Sequence, residues 1–255
     1  MNEILTKIIN FFSTFQPKDW TTLIVSTFAL VFSILTLRQK AGEARLARRE
    51  QLTDLLQKLS ELNTEVSTYR FLREAKKDEY PPNYVGLIND QRRFLVRQAA
   101  FVAGKIKRLV SPYEYLIIAG GFDSIDDTYQ AEYFYQLAIK TKDQIDRAIA
   151  IRGYGRYLFN RGRTEEGRQY YLLALEAFKG DSDHLRHARG DTYERWAVHE
   201  KEWGHPTEAN SKLEHAITEF STLTNPSRQN YEIERVRKQL PKPAIVEKEN
   251  VEEGA

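Results

Sequence analysis

The chain has 255 residues, a formal net charge of +2, 29% charged side chains and no cysteine. It is long enough for one solid domain or an elongated array with a buried core, and the missing thiols exclude a disulfide framework, a thiolate metal site and a cysteine nucleophile. Acidic and basic residues are interspersed, which argues against a dedicated nucleic-acid binder, because such a protein needs a concentrated basic surface.

Met1 to Gln16 carries Ile4, Leu5, Ile8, Ile9, Phe11, Phe12 and Phe15, with only Glu3 and Lys7 charged. It is too short to cross a bilayer. Residues 1–19 are therefore expected to lie in the interface as an amphipathic segment, with a re-entrant or paired hairpin as the alternative. Residues 20–37, WTTLIVSTFALVFSILTL, form an uncharged run of 18 residues. At ~1.5 Å per residue the run reaches roughly 27 Å, close to the ~30 Å hydrocarbon core, and predicts a single transmembrane helix. Its Ser and Thr hydroxyls can bond back to their own helix.

Arg38, Lys40, Arg45, Arg48 and Arg49 follow the run, whereas only Lys7 and Lys18 precede it. This bias predicts a single-pass protein of the cell inner membrane with its C-terminal part cytoplasmic, and a basic cluster in contact with anionic membrane lipid. A cleaved signal peptide fits poorly, because RQKAGEARLARRE follows where a small-residue cleavage site would be needed.

Residues 38–79 predict a basic juxtamembrane, coiled-coil-like helix. Leu52, Leu55, Leu59, Leu62, Val66 and Tyr69 follow a 3-4-3-4-3 spacing, a candidate oligomerisation seam for a homo-oligomer. Leu56 and Leu72 widen the stripe, as expected of a helix packed against its own domain. Tyr80-Pro81-Pro82-Asn83 interrupts the pattern, and a helical linker follows over 83–110. Ser111-Pro112 reads as an N-cap with proline at the first helical position, opening a repeat domain over 112–221. Residues 222–255 predict a capping helix at Asn230–Leu240 and a disordered, acidic, proline-containing tail.

Within 112–221 the clearest unit is Ala148 to Lys179, AIAIRGYGRYLFNRGRTEEGRQYYLLALEAFK. Gly155 sits at a small position in its first helix, Gly162 at the turn and Gly167 at the small position opening the second helix, followed by Tyr171 and Ala174. A second copy, Gly190 to Phe220, places Trp196, Ala197, Gly204, Ala209, Leu213 and Ala216 in the same register. A weaker copy from Pro112 to Lys140 uses Ala119, Phe122, Ala131, Tyr135 and Ala138, with Asp126 where the turn glycine is expected and Gly120-Gly121 loosening the first helix. These units resemble tetratricopeptide (TPR) repeats. The resemblance implies an α-solenoid of about three helical hairpins over these residues; with the helical spacing upstream, the expected fold is all-α, an N-terminal transmembrane helix and a long juxtamembrane helix followed by that solenoid. The small positions Gly167 and Ala209 lie 42 residues apart, against 36 from Ala131 to Gly167. KGDSDHLRHAR is therefore expected to lengthen a connection or the first helix of the last unit.

The resemblance further implies a partner-binding groove lined by the first helix of each unit. Carried onto this chain it selects Tyr113, Leu116, Arg152, Arg156, Asn160, Glu194 and Lys201. Arginines there could hold a carboxylate in a bidentate pair; the competing use of Arg152 and Arg156 is an exposed helix face.

No phosphate loop, nucleophile elbow or dinucleotide fingerprint occurs. The five histidines lack zinc-ligand spacing and read as solvated or locally bonded, DSIDD at 123–127 reads as a capping turn, and Glu165-Glu166 favour a helix start. Tyr133, Phe134, Tyr157, Tyr170 and Tyr171 read as core. The expectation is a non-catalytic scaffold with no cofactor, binding a protein partner at the cytoplasmic membrane face. The alternative is a self-assembling membrane effector or sensor responding to a small anionic ligand.

Overall fold

The computed structural model describes residues 17–72 and 84–241, together with Thr6. The expectations for the N-terminal amphipathic segment, the proline break and the acidic tail fall outside the described residues. Among the described residues the fold is all-α: α1 Pro17–Leu72, α2 Tyr84–Lys105, α3 Pro112–Asp123, α4 Thr128–Ile139, α5 Gln144–Asn160, α6 Thr164–Ala177, α7 Asp183–Glu202, α8 Pro206–Ser221 and α9 Pro226–Arg237. A 3-10 turn, Lys107–Leu109, links α2 to α3.

The apolar run and the leucine stripe belong to one helix of 56 residues, ~84 Å long. Its N-terminal part stays outside the core of the described residues: Val25, Phe28, Phe32 and Leu37 are each at least two-thirds exposed. Ser26 donates to the Thr22 carbonyl at 2.8 Å, Ser33 to Ala29 at 2.7 Å and Thr36 to Phe32 at 2.9 Å. The hydroxyls thus bond back within the helix, as the sequence predicts, and an apolar surface of spanning length is left bare.

The C-terminal part of α1 behaves differently. Leu52, Leu56 and Leu59 are buried in one core with Val96, Ala99, Val102 and Ala103 of α2, and that core continues without a break to Tyr157 and Leu158 of α5. Each fully buried leucine contributes roughly 1.5–3 kcal/mol. Most of the candidate oligomerisation seam therefore packs within the chain: Leu52, Leu59 and Val66 are buried, and Leu55, Leu62 and Tyr69 are half-buried. The packing also begins upstream of residue 112, since α1 and α2 form a helix pair of their own.

Pairs α1/α2, α3/α4, α5/α6 and α7/α8 stack in chain order, and each first helix also touches the first helix of the next pair. Caps mark the starts. Ser111 and Glu114 close a full capping box on α3, and Asp127, Asp143, Ser182 and Asn225 cap α4, α5, α7 and α9. Asn225 followed by Pro226 sets the start of the C-terminal helix four residues earlier than hydrophobic periodicity suggests. The extra residues before the last pair lengthen its first helix, α7, to 20 residues.

Small residues lie where the helices of a pair cross. A Cβ at Gly155 would stand 3.2 Å from the Gly167 carbonyl oxygen, and one at Gly190 would collide with the Phe220 ring at 2.4 Å. Gly121 does the same work. Its Cβ would meet Val96 at 2.8 Å, so Gly121 serves a close α2–α3 contact, while Gly120 faces open space and the helix continues through both. At the turns, Gly162 and Gly204 have φ of 76° and 79°, and Asp126 takes the equivalent left-handed conformation at 60°. Space around Gly204 is open. Gly204→Ala is therefore expected to cost about 1 kcal/mol from backbone strain alone, seen as a lower urea midpoint with an unchanged slope.

Candidate functional site

The first helices α3, α5 and α7 run side by side in a regular register. Leu116 of α3 faces Gly153 of α5. Arg152 of α5 meets Asp191 of α7, the Phe159 ring stacks on His199 at 5.7 Å, and Gly162 lies against Trp203. This parallel alignment brings part of the predicted groove together and removes part of it.

Tyr113, Arg156, Asn160 and Lys201 are exposed. Leu116 is half-buried between helices. Arg152 does not face solvent as a groove arginine would: its guanidinium donates to Asp191 at 2.6 Å and to the Thr192 hydroxyl at 3.2 Å. Burial lowers its pKa from the ordinary value, opposed by Asp191. Asp191 also accepts from Arg195 at 3.0 Å, so one carboxylate ties α5 to α7. Glu194 is buried and turned away from the face. It accepts from Arg235 of α9 and, at 2.7 Å, from Gln239, locking the C-terminal helix onto α7. Charge at these two positions is used between helices.

With Lys201, Arg156 is a cation left exposed among the groove candidates. It makes no ion pair among the described residues, and it lies beside the Tyr135 hydroxyl. Burial pushes the Tyr135 phenol up to about 12 against the pull of Arg156, and burial likewise raises Tyr154 and Tyr157 to about 12. These phenols stay neutral near pH 7, so they serve as hydrogen-bonding groups and not as bases. Val198 of α7 and Trp203, which caps its C-terminus and lies against Gly162, are 43% and 44% exposed and add apolar surface on the helix next to α5. Sequence reasoning missed both. Each lies off the buried stripe that contains Trp196 and Ala197, and that misplacement of large apolar groups was the available signal. The arrangement can hold a carboxylate through Arg156 and an apolar side chain against Val198 and Trp203.

The strongest polar constellation was also missed. Glu200, with a side chain 1% exposed, accepts from Arg168 of α6 at 2.7 and 2.6 Å and from the Trp196 indole at 2.7 Å. It joins the last two pairs and has no open face on which a substrate could sit. Arg161 similarly clasps Asp123 at 2.7 Å and Arg163 clasps Glu132 at 2.7 Å. Of the aromatic set, Phe134, Tyr157 and Tyr171 are buried and Tyr170 half-buried, but Tyr133 is 44% exposed. Two histidines are less solvated than expected: His187 bonds Glu232 of α9 at 2.9 Å, and burial holds His199 below its ordinary pKa. Among the described residues no group of three or more His, Asp or Glu side chains is placed to hold a metal ion.

No family model matches the chain, and neither a curated protein nor a solved structure matches it.

Proposed function

We propose that the chain is a membrane-anchored, non-catalytic scaffold of the TPR-like kind, single-pass in a cell inner membrane, whose stacked helix pairs present a protein-binding face to the cytoplasm. One observation carries the reading. A single helix is bare apolar surface over the spanning run and becomes core of the first pair some fifteen residues later, so anchor and stack share one rigid element. Recurring small-residue contacts within the pairs, and left-handed turns joining the two helices of each of the last three pairs, support the TPR-like assignment. The basic flank supports the orientation.

The partner fits as a peptide segment that offers a carboxylate to Arg156 and an apolar side chain to Val198 and Trp203. Fixing such a face beside the membrane raises its local concentration toward a membrane-bound partner, so modest affinity suffices. Self-assembly through the leucine stripe is the weaker reading, because the stripe already packs against α2.

A photo-crosslinking side chain at Asn160 in native membranes is expected to give a discrete adduct. The adduct should fall at least tenfold with Arg156→Glu, equivalent to about 1.4 kcal/mol. The same probe at the exposed Leu172 of α6 should give none. Equal adducts from both faces, or no response to Arg156→Glu, would reject the groove. Release of the full chain by alkaline carbonate would reject the anchor.

A further inference from the structure

The first helix pair is antiparallel, and this fixes which end of the stack meets the bilayer. Tyr84, at the start of α2, packs its ring on Tyr69 at 5.1 Å and bonds Glu65, so α2 begins level with residues 65–69 of α1. It then returns for 21 residues to Lys105, ~32 Å back along α1 and level with about residue 46. One contact to α1 agrees with this level: Arg49 pairs with Glu114, whose neighbour Tyr115 ties the start of α3 to the corner by donating its hydroxyl to the Lys107 carbonyl at 3.4 Å. The α2–α3 corner therefore lies only ~14 Å beyond Leu37, where the apolar run ends. Headgroups fill the first ~5–8 Å of that distance.

The corner is basic and partly apolar. Lys105, Lys107 and Arg108 are exposed, and none makes an ion pair among the described residues. Lys105 stands 5.1 Å above the Phe101 ring. Leu109 and Tyr113 are 48% and 65% exposed beside them. The acid closest in sequence, Glu114, is engaged by Arg49 and by its own capping box. On α1 at the same height the sequence sets Glu43 and Glu50 among Arg45, Arg48 and Arg49, whereas residues 105–113 add three cations and no acid.

We propose that Lys105, Lys107, Arg108, Leu109 and Tyr113 form a docking site for the anionic phospholipid headgroups of the bilayer that holds α1. Sequence alone assigns lipid contact to 38–49; the fold adds a second basic segment, some sixty residues later, at the same height. Two contacts on different helices resist pivoting about the anchor and set the tilt of the whole stack. Charge within about a screening length of the surface draws the corner down, and the leucine and tyrosine suit the interfacial layer.

The inference rests on α1 spanning the membrane, and the test separates the two. The cysteine-free full chain accepts a single label. Leu109→Cys carrying an environment-sensitive dye, in nanodiscs of phosphatidylcholine with added phosphatidylglycerol, is expected to emit to the blue of the same protein in phosphatidylcholine alone. The shift should vanish at about 1 M salt, where screening falls to ~3 Å, and with Lys105→Glu, Lys107→Glu and Arg108→Glu combined at unchanged helicity. Equal emission in both lipids would overturn the docking site, as would a shift produced by inorganic phosphate without anionic lipid. A second label at Leu30→Cys should report an apolar setting in both lipids. Solvent-like emission there would overturn the spanning helix, and the docking site with it.

Discussion

Glu200→Ala is expected to destabilise the chain by about 3 kcal/mol, since removing one member of a buried pair strands the charge and donors left behind. Arg168 would keep only the exposed Glu165 as a partner, and the Trp196 indole would lose its acceptor. Chemical unfolding of the detergent-solubilised chain, followed by helical circular dichroism, measures the loss. Replacing both partners, with Arg168→Met and Glu200→Leu, should cost less than Glu200→Ala alone, because no unpaired charge remains. If the double replacement costs more than the single one, the pair itself is the source of stability and the desolvation argument fails.

The same carboxylate predicts an acid response. Burial raises its pKa, but the bonds from Arg168 and Trp196 outweigh burial and leave it below the ordinary 4.5. The folded chain then binds fewer protons than the unfolded one just below that value. Its contribution is fully present above pH 4.5 and is lost as pH falls through the depressed folded value. Glu200→Gln should flatten stability against pH in that acid window and leave the slope near neutrality unchanged.

Gly167→Leu should be at least as damaging, costing about 3 kcal/mol or more. A Cβ at that position would sit 2.5 Å from the buried Phe159 ring and 3.1 Å from the Gly155 carbonyl oxygen, so both a ring and a backbone must move. Thermal unfolding of Gly167→Ala, Phe159→Leu and their combination isolates the cause. The alanine should be tolerated better beside leucine than beside phenylalanine, with a coupling of about 1 kcal/mol. Strict additivity would locate the damage at the backbone contact alone.

The places where sequence reading succeeded and failed follow from the range of the interactions involved. Ser111-Pro112, Asp127, Gly162 and Gly204 were legible because caps and left-handed turns are decided within four residues. Gly155, Gly167, Ala197 and Ala209 were legible because a repeated unit shows its contacts twice. Arg152 and Glu194, expected in the groove, are engaged by Asp191 and Arg235 of neighbouring helices. Helical periodicity places both on first helices but is silent on whether a carboxylate or an arginine waits on the next one.

By itself the sequence determined the all-α class, the apolar run, the turn positions and the small-residue crossings, because each depends on local stereochemistry or on a repeated pattern. The tertiary structure alone decided that the leucine stripe closes on α2, that Asp191 and Arg235 take up two groove candidates, and that Lys105 to Tyr113 returns to the level of the basic flank. Those outcomes turn on side chains from fifteen to sixty-five residues apart, and only the packing of helix on helix brings them within bonding distance.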